Sequence, residues 1–305
     1  MRKHKRYVLR NMQAPGDILM LTACVRDVKR FHPDIEIDVR VPEPSRCLFD
    51  CSPYITPIAD NTAPLLEMSY PLIHRSNQDN RIHFLHGFID NFNEQTGSSV
   101  MLTEFKPDVH LLSEELNTPV FPDLPQQFVL ANCGHKMDFV AKAVPTCIWE
   151  EIFARLKNVT FIRVGSAPDG NNVQPEISAA NLIDKVGQTD IRQLLRLSSQ
   201  SVGVITPVSL PMHAAACFYR AACVLTGGFE PLSWEHYWWM NTFGAQKRLL
   251  CCKDGGCWAS NGCVSLNREG YQRCMELLDI DLVCQTIVSW FTNQSTLSPG
   301  DIAHA

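Results

Sequence analysis

VGVITPVSLPMHAAACFYRAACVLTGGFEPLSW, residues 202–234, is the stretch on which the reading of this chain turns. Val202–Ile205 is a short apolar run of the kind that makes a buried strand. The proline-containing turn after it leads into a helix with His213 in its first turn. Ala222–Thr226 is a second such run, stopped by Gly227 and Gly228. A strand, a tight polar turn and a helix start form an anion site, because backbone N–H groups and the helix dipole point the same way. Ser209, Leu210, Pro211, Met212 and His213 are the candidates to line it.

The alternation of strand and helix extends back to the N-terminus. Tyr7-Val8-Leu9 reads as a first strand and 11–17 as a turn, and the helix that follows stops at His32-Pro33. Ile35–Val39 alternates as a strand does. Strand, helix and strand within about 35 residues make a βαβ unit, which implies a parallel sheet. Cys47–Cys51 reads as a short helix and Tyr54–Ile58 as a further strand. Beyond these the pattern weakens to a strand or loop at 70–74 and an amphipathic helix over His83–Phe92.

Pro119, Pro122 and Pro125 then mark a linker. Gln127–Ala131 opens a second series: a loop over Asn132–Pro145, a helix over Thr146–Leu156, a strand over Val159–Val164 and a helix over Thr189–Ser198 capped by Thr189. The two series predict an α/β fold with two facing, doubly wound domains, 1–122 and 123–282, then a helix and tail over 283–305. Ligands in such folds sit outside the carboxyl ends of the strands.

Composition narrows the classes. Of the 305 residues 45% are hydrophobic and 19% charged, as in globular proteins, and the net charge of −5 argues against nucleic acid as a partner. The basic run Arg2–Arg6 leads straight into the first strand and reads as a solvated chain end. No apolar run has the length of a membrane span or a secretion signal, so the expectation is a cytoplasmic protein; peripheral attachment at the inner membrane face and homo-oligomerisation stay open.

At this point four motifs resemble glycosyltransferase family 9, the ADP-heptose:lipopolysaccharide heptosyltransferases. Gly16-Asp17 follows the first strand and precedes an apolar helix. Lys142-Ala-Val-Pro145 with Trp149-Glu150-Glu151 is similar to the family's lysine-x-tryptophan-proline run. Val186-Gly187-Gln188-Thr189 with Leu194-Leu195 and Val202-Gly203 is similar to "GKT…L…L…ADLVVG". Ser209-Leu-Pro-Met-His213-Ala-Ala-Ala216 is similar to "DSGPMHLAAA", with Val208 where the family has an acid and Leu210 where it has glycine. The resemblance implies a GT-B fold, inverting transfer with no required divalent ion, and a nucleotide-sugar donor such as ADP-heptose held by the second domain. The acceptor would be a glycan, a lipid-linked glycan or a protein.

Such a transfer needs a base for the acceptor hydroxyl and donors for the leaving diphosphate. Asp17 resembles the family's base; as a bare residue it also reads as a helix N-cap. Lys142 suits diphosphate as a point charge and equally a solvated surface. His213 could donate to phosphate or pack. Gly227, Gly228 and Glu230 close the next strand, with Glu230 in reach of a ribose or sugar hydroxyl. Gly16, His83 and His86 fall on the acceptor side, the histidines also reading as helix packing. Two other classes fit the same residues: a non-catalytic nucleotide-sugar or carbohydrate-binding protein, and a GT-B-fold sugar-nucleotide epimerase.

Six of the thirteen cysteines lie between 251 and 284. Cys252, Cys257, Cys263 and Cys274 have the spacing for a structural zinc or iron site built on glycine-rich turns, with buried reduced thiols as the alternative. If the quartet binds, elemental analysis of the purified chain finds about one zinc or iron per chain, and Cys257→Ser removes it.

Overall fold

A computed structural model describes residues 5–60, 62–75, 82–227, 234, 237, 246–249 and 265–292. The first half is built from β1 (Arg6–Arg10), α1 (Pro15–Phe31), β2 (Glu36–Arg40), a helical turn α2 (Glu43–Arg46), β3 (Leu65–Glu67), α3 (Phe84–Thr96) and α4 (Ser113–Asn117). The strands form a three-stranded sheet in the order β2-β1-β3, parallel throughout, with Val8 opposite both Asp38 and Leu65. All three side chains Tyr7, Val8 and Leu9 are buried, as expected for a central strand of a parallel sheet.

One expected strand is absent. Tyr54–Ile58 runs beside β2 but makes a single backbone bond there, Thr56 N–H to the Ile37 carbonyl at 2.8 Å. Pro53 and Pro57 remove two N–H donors and so interrupt any ladder. The third strand is instead β3, whose three residues carry only one buried side chain, Leu66. Residues 71–75 form a 3-10 turn rather than a strand.

The second half holds β4 (Val129–Ala131), β5 (His135–Lys136), α5 (Thr146–Arg155), β6 (Phe161–Arg163), β7 (Asn172–Val173), β8 (Leu182–Asp184), α6 (Ile191–Gln200), β9 (Gly203–Thr206), α7 (Leu210–Cys217), β10 (Ala221–Thr226), β11 (Gln246–Leu249) and α8 (Ile280–Thr292). Six of the strands make a parallel sheet in the order β11-β10-β9-β4-β6-β8; β5 and β7 form a separate antiparallel pair. The chain therefore moves outward from β4 through β6 to β8, then returns to the other side of β4 and moves outward through β9 and β10. The reversal lies between β4 and β9. The N-cap of α6 is Asp190, not Thr189. Its carboxylate accepts the Gln193 N–H at 2.7 Å while the Gln193 side chain accepts the Asp190 N–H at 3.0 Å, a reciprocal box that Thr189 is one residue too early to make.

The segment from Thr103 to Thr118 passes between the halves and is tied to both. On α1, Arg26 and Asp27 form an ion pair at 2.9 Å with neither side chain exposed. Arg26 also donates to the carbonyls of Glu104 and Lys106, at 2.7 and 2.9 Å, and Asp27 accepts the Thr103 N–H. On α6, Arg192 pairs with Glu115 at 2.6 Å and donates to the His110 carbonyl, while Arg196 donates to the carbonyls of Glu115 and Thr118. Removing one member of a buried pair strands the other charge. Asp27→Ala is accordingly expected to lower stability by roughly 3–5 kcal/mol, read as a drop in the urea midpoint.

Candidate functional site

The reversal of strand order places the ends of β4 and β9 side by side, which is where an open α/β sheet leaves a crevice. Asn132 leaves β4 with its N–H bonded to the Ile205 carbonyl at 3.0 Å. Its side chain donates to Ser209 Oγ at 3.1 Å and accepts the Gly134 N–H at 3.2 Å. Ser209 Oγ also lies 2.7 Å from Thr206 Oγ1. Ser209 is the N-cap of α7, yet its hydroxyl is spent on these neighbours and no side chain caps the helix. An uncapped helix start at a sheet switch point is a place where an external anion can serve as the cap. Val208 is 3% exposed and packs in the core, so it adds nothing polar to the turn.

Asp17 sits inside α1, not in a loop ahead of it. Ala14 is the N-cap and Pro15, with its preset φ and missing N–H, opens the helix, which puts Asp17 in the first turn where a carboxylate is favoured. Its Oδ1 accepts the Tyr70 phenol at 2.8 Å. Gly16 is pressed against the start of α7: a Cβ there would lie 3.4 Å from the His213 ring and 3.8 Å from the Leu210 backbone. The start of the first helix thus touches the start of the helix at the switch point.

His213 is 3% exposed, and its Nδ1 lies 2.6 Å from the Tyr237 hydroxyl. Tyr237 in turn meets the rings of His83 and Phe105, at 5.3 and 6.1 Å between centroids. His83 is the N-cap of α3, with Nδ1 accepting the Leu85 N–H at 3.1 Å, so its ring proton resides on Nε2. Of the two readings of His83, acceptor side and helix packing, its burial in this aromatic cluster agrees with packing.

No family model matches the sequence, and no curated protein matches it. Solved structures do. ADP-heptose lipopolysaccharide heptosyltransferase II of E. coli superposes with a TM-score of 0.65 at 14% identity, over 95% of this chain and all of that one. A glycosyl transferase family 9 protein of Veillonella parvula gives 0.63 at 13% identity, over 95% and 97% of the two chains. TibC of enterotoxigenic E. coli, described as an iron-containing dodecameric glycosyltransferase, gives 0.65 at 12% identity, over 96% and 77%. The fold is that of the heptosyltransferases.

Within this heptosyltransferase fold the remaining predicted residues fall on several separate elements. Lys142 ends a 3-10 turn over Met137–Lys142, half-buried, just before α5. Pro211 and Met212 are buried in the first turn of α7. Gly227 follows β10, where a Cβ would strike Gln272 at 2.4 Å and Cys274 at 2.8 Å. Gly228 and Glu230 lie outside the described residues, as do Cys252, Cys257 and Cys263. Among the described residues no three metal-ligating side chains converge, and Cys274 is buried in the 3-10 turn Arg273–Leu277. His86 is on the exposed face of α3. No described helix is long and apolar enough to cross a membrane.

Three contributors were not foreseen. Asn132 is one that a strand-end rule would have flagged. Tyr70 and Tyr237 gave no signal, because their partners are distant in sequence. A cavity of about 570 Å³ lies beyond β6 and β8, lined by Arg163, Gln174, Asp184 and Val186. The Gln174 amide fills the space between Gly134 and Gly165, where a Cβ on either would fall 2.5 Å from its nitrogen.

The thiols nearest the site are not nucleophiles. Burial raises the Cys133 thiol well above its ordinary range and pushes Cys217 on α7 up to about 12. Both stay protonated at neutral pH, and their ionisation in the unfolded chain alone makes stability fall as pH rises above the ordinary thiol range. Iodoacetamide at pH 7.5 is expected to leave Cys133 and Cys217 unmodified in the native protein while labelling the exposed Cys51 and Cys147, as read by peptide mass spectrometry.

Proposed function

We propose that the chain is a glycosyltransferase that moves a heptose-like sugar from a nucleoside-diphosphate donor, ADP-heptose or a close relative, to a hydroxyl of a glycan, lipid-linked or protein acceptor. In this reading residues 1–122 form the acceptor side and 123–282 the donor side of a GT-B arrangement, with the cleft at the join. The observation that carries it is the approach of the start of α1 to the start of α7, where a Cβ on Gly16 would reach within 3.4 Å of the His213 ring, so that the carboxylate of the next residue lies near an uncapped helix start. Structures of the same fold include E. coli heptosyltransferase WaaC with ADP and with ADP-2-deoxy-2-fluoro heptose.

Asp17 removes the proton from the acceptor hydroxyl as that oxygen bonds to the anomeric carbon. The bond from that carbon to the diphosphate oxygen breaks on the opposite face, and its electron pair leaves with the nucleoside diphosphate. Configuration inverts. The growing charge on the diphosphate is met by the N-terminal turn of α7, Ser209 to His213, by Lys142 and by the backbone at Gly227, and in this reading Gly228 shares that role while Glu230 serves a ribose or sugar hydroxyl. The cavity at Arg163 and Gln174 has room for the nucleoside end.

Asp17→Asn keeps the shape of the side chain and removes the base. It is expected to bind ADP-heptose with a Kd within about threefold of the unsubstituted protein in calorimetry. ADP release in the presence of lipopolysaccharide core is expected to slow by about 10²-fold or more. Undiminished release would take Asp17 out of the mechanism. Donor binding without turnover in the unsubstituted protein would mark a nucleotide-sugar-binding protein instead.

A further inference from the structure

We propose that Tyr70 is a positioning residue for the Asp17 carboxylate, holding it in the orientation from which it takes the acceptor proton. The inference rests on the reading of Asp17 as base. Its own evidence is geometric. Tyr70 Oη donates to Asp17 Oδ1 at 2.8 Å across a separation of 53 residues, so the contact is made by the fold and not by local sequence.

The phenol is held from several sides. Its ring meets the ring of Phe84 at 4.5 Å and 77° and that of Phe88 at 5.2 Å and 88°, both edge-on contacts from α3. Between them stands Gly87, where a Cβ would lie 2.7 Å from Tyr70 Cβ. That glycine lets the Tyr70 main chain settle on the helix. The flanks are fixed as well: the Met68 N–H extends the β1–β3 ladder to the Arg10 carbonyl at 2.7 Å, the Ser69 N–H donates to Asn91 Oδ1 at 3.0 Å, and the Tyr70 carbonyl accepts the Ile73 N–H at 2.9 Å. A tyrosine has two side-chain torsions and both are set by this packing.

A general base works only when held close to its productive geometry, and small misplacements lose orders of magnitude in rate. A carboxylate in the first turn of a helix has several rotamers open to it. A fixed phenol selects one. Because the phenol donates to the charged form, it also favours ionisation, and its removal must shift the titration of Asp17 upward. The titratable neighbours packed at this helix start include Tyr70 from the segment before α3 and His213 from α7 across Gly16, with Tyr237 behind His213.

The test is Tyr70→Phe, which removes one oxygen and leaves the ring. With aspartate labelled at the carboxyl carbon, the Asp17 resonance is assigned by its absence from Asp17→Asn and titrated by NMR, a measurement that needs no substrate. The midpoint is expected to move up in Tyr70→Phe. Gly87→Ala, which displaces Tyr70 without removing its phenol, is expected to move it the same way. In ADP release from ADP-heptose, kcat should fall about ten- to a hundredfold with KM for the donor within about twofold, and the acid limb of the pH profile should move to higher pH. Tyr70→Phe should have no further effect in the Asp17→Asn background. An unmoved carboxyl titration overturns the proposal. So does an inactive Asp17→Asn beside a fully active Tyr70→Phe, which leaves the base assignment standing. A fully active Asp17→Asn overturns the base assignment and this role with it.

Discussion

Where α1 meets α7, the starts of two helices from different halves of the chain come together at Gly16. A Cβ built on Gly16 would meet the His213 ring at 3.4 Å and the Leu210 backbone at 3.8 Å, which is ordinary van der Waals contact, so the two helix starts leave room for about one methyl group between them. The carboxylate of Asp17, the next residue, owes its place beside the switch point to that approach. The rest of the site is arranged around it. Asn132 and Ser209 join the ends of β4 and β9 by a hydrogen bond, and Tyr237 fixes His213 from behind. Polar groups on three separate stretches of chain are therefore held by one another and not by loops alone.

The contact would be worth little if the two sheets could slide. The segment from Thr103 to Thr118 prevents this by engaging buried charge on one side and arginine forks on the other. The guanidinium of Arg26 uses both its carboxylate partner and two carbonyls, a pattern that fixes direction as well as distance. Arg192 and Arg196 do the same from α6. The proline-marked stretch that follows carries the chain on to β4 with both ends already anchored.

Much of this was legible in the sequence where periodicity and punctuation agree. The strands at Tyr7–Leu9 and Val202–Ile205, the helix into His32-Pro33 and the helix over 146–156 all combine an apolar period with a clear stop, and all are present. The misses share a physical cause. Tyr54–Ile58 has the composition of a strand but too few N–H donors to pair, whereas β3 pairs well with almost no buried side chain to announce it. Asp17 reads as the end of the 11–17 turn or as a helix N-cap, whereas Ala14 is the N-cap and Pro15 opens the helix, which puts Asp17 in its first turn. Of the candidate site, the strand-turn-helix geometry of one continuous stretch, Val202 to Cys217, is legible directly. Tyr70 and Tyr237 are not, because what matters about them is a partner brought close by the fold.

Both main sheets are parallel throughout, and that has a bearing on how the molecule comes to exist. A parallel pair cannot close as a hairpin and must wait for its crossover, so its loop-closure entropy is spent before any contact returns it. Val129 in β4 finds Gly203 in β9 only after β6, β8 and their helices have been laid down between them. The switch point is thus among the last features to form, and a chain emerging from the ribosome has the Gly16-Asp17 start of α1 long before it has anything for that helix start to meet. Until then the apolar run that becomes β4 is an unpaired edge, which makes the interval before β9 arrives the stage of synthesis most exposed to aggregation.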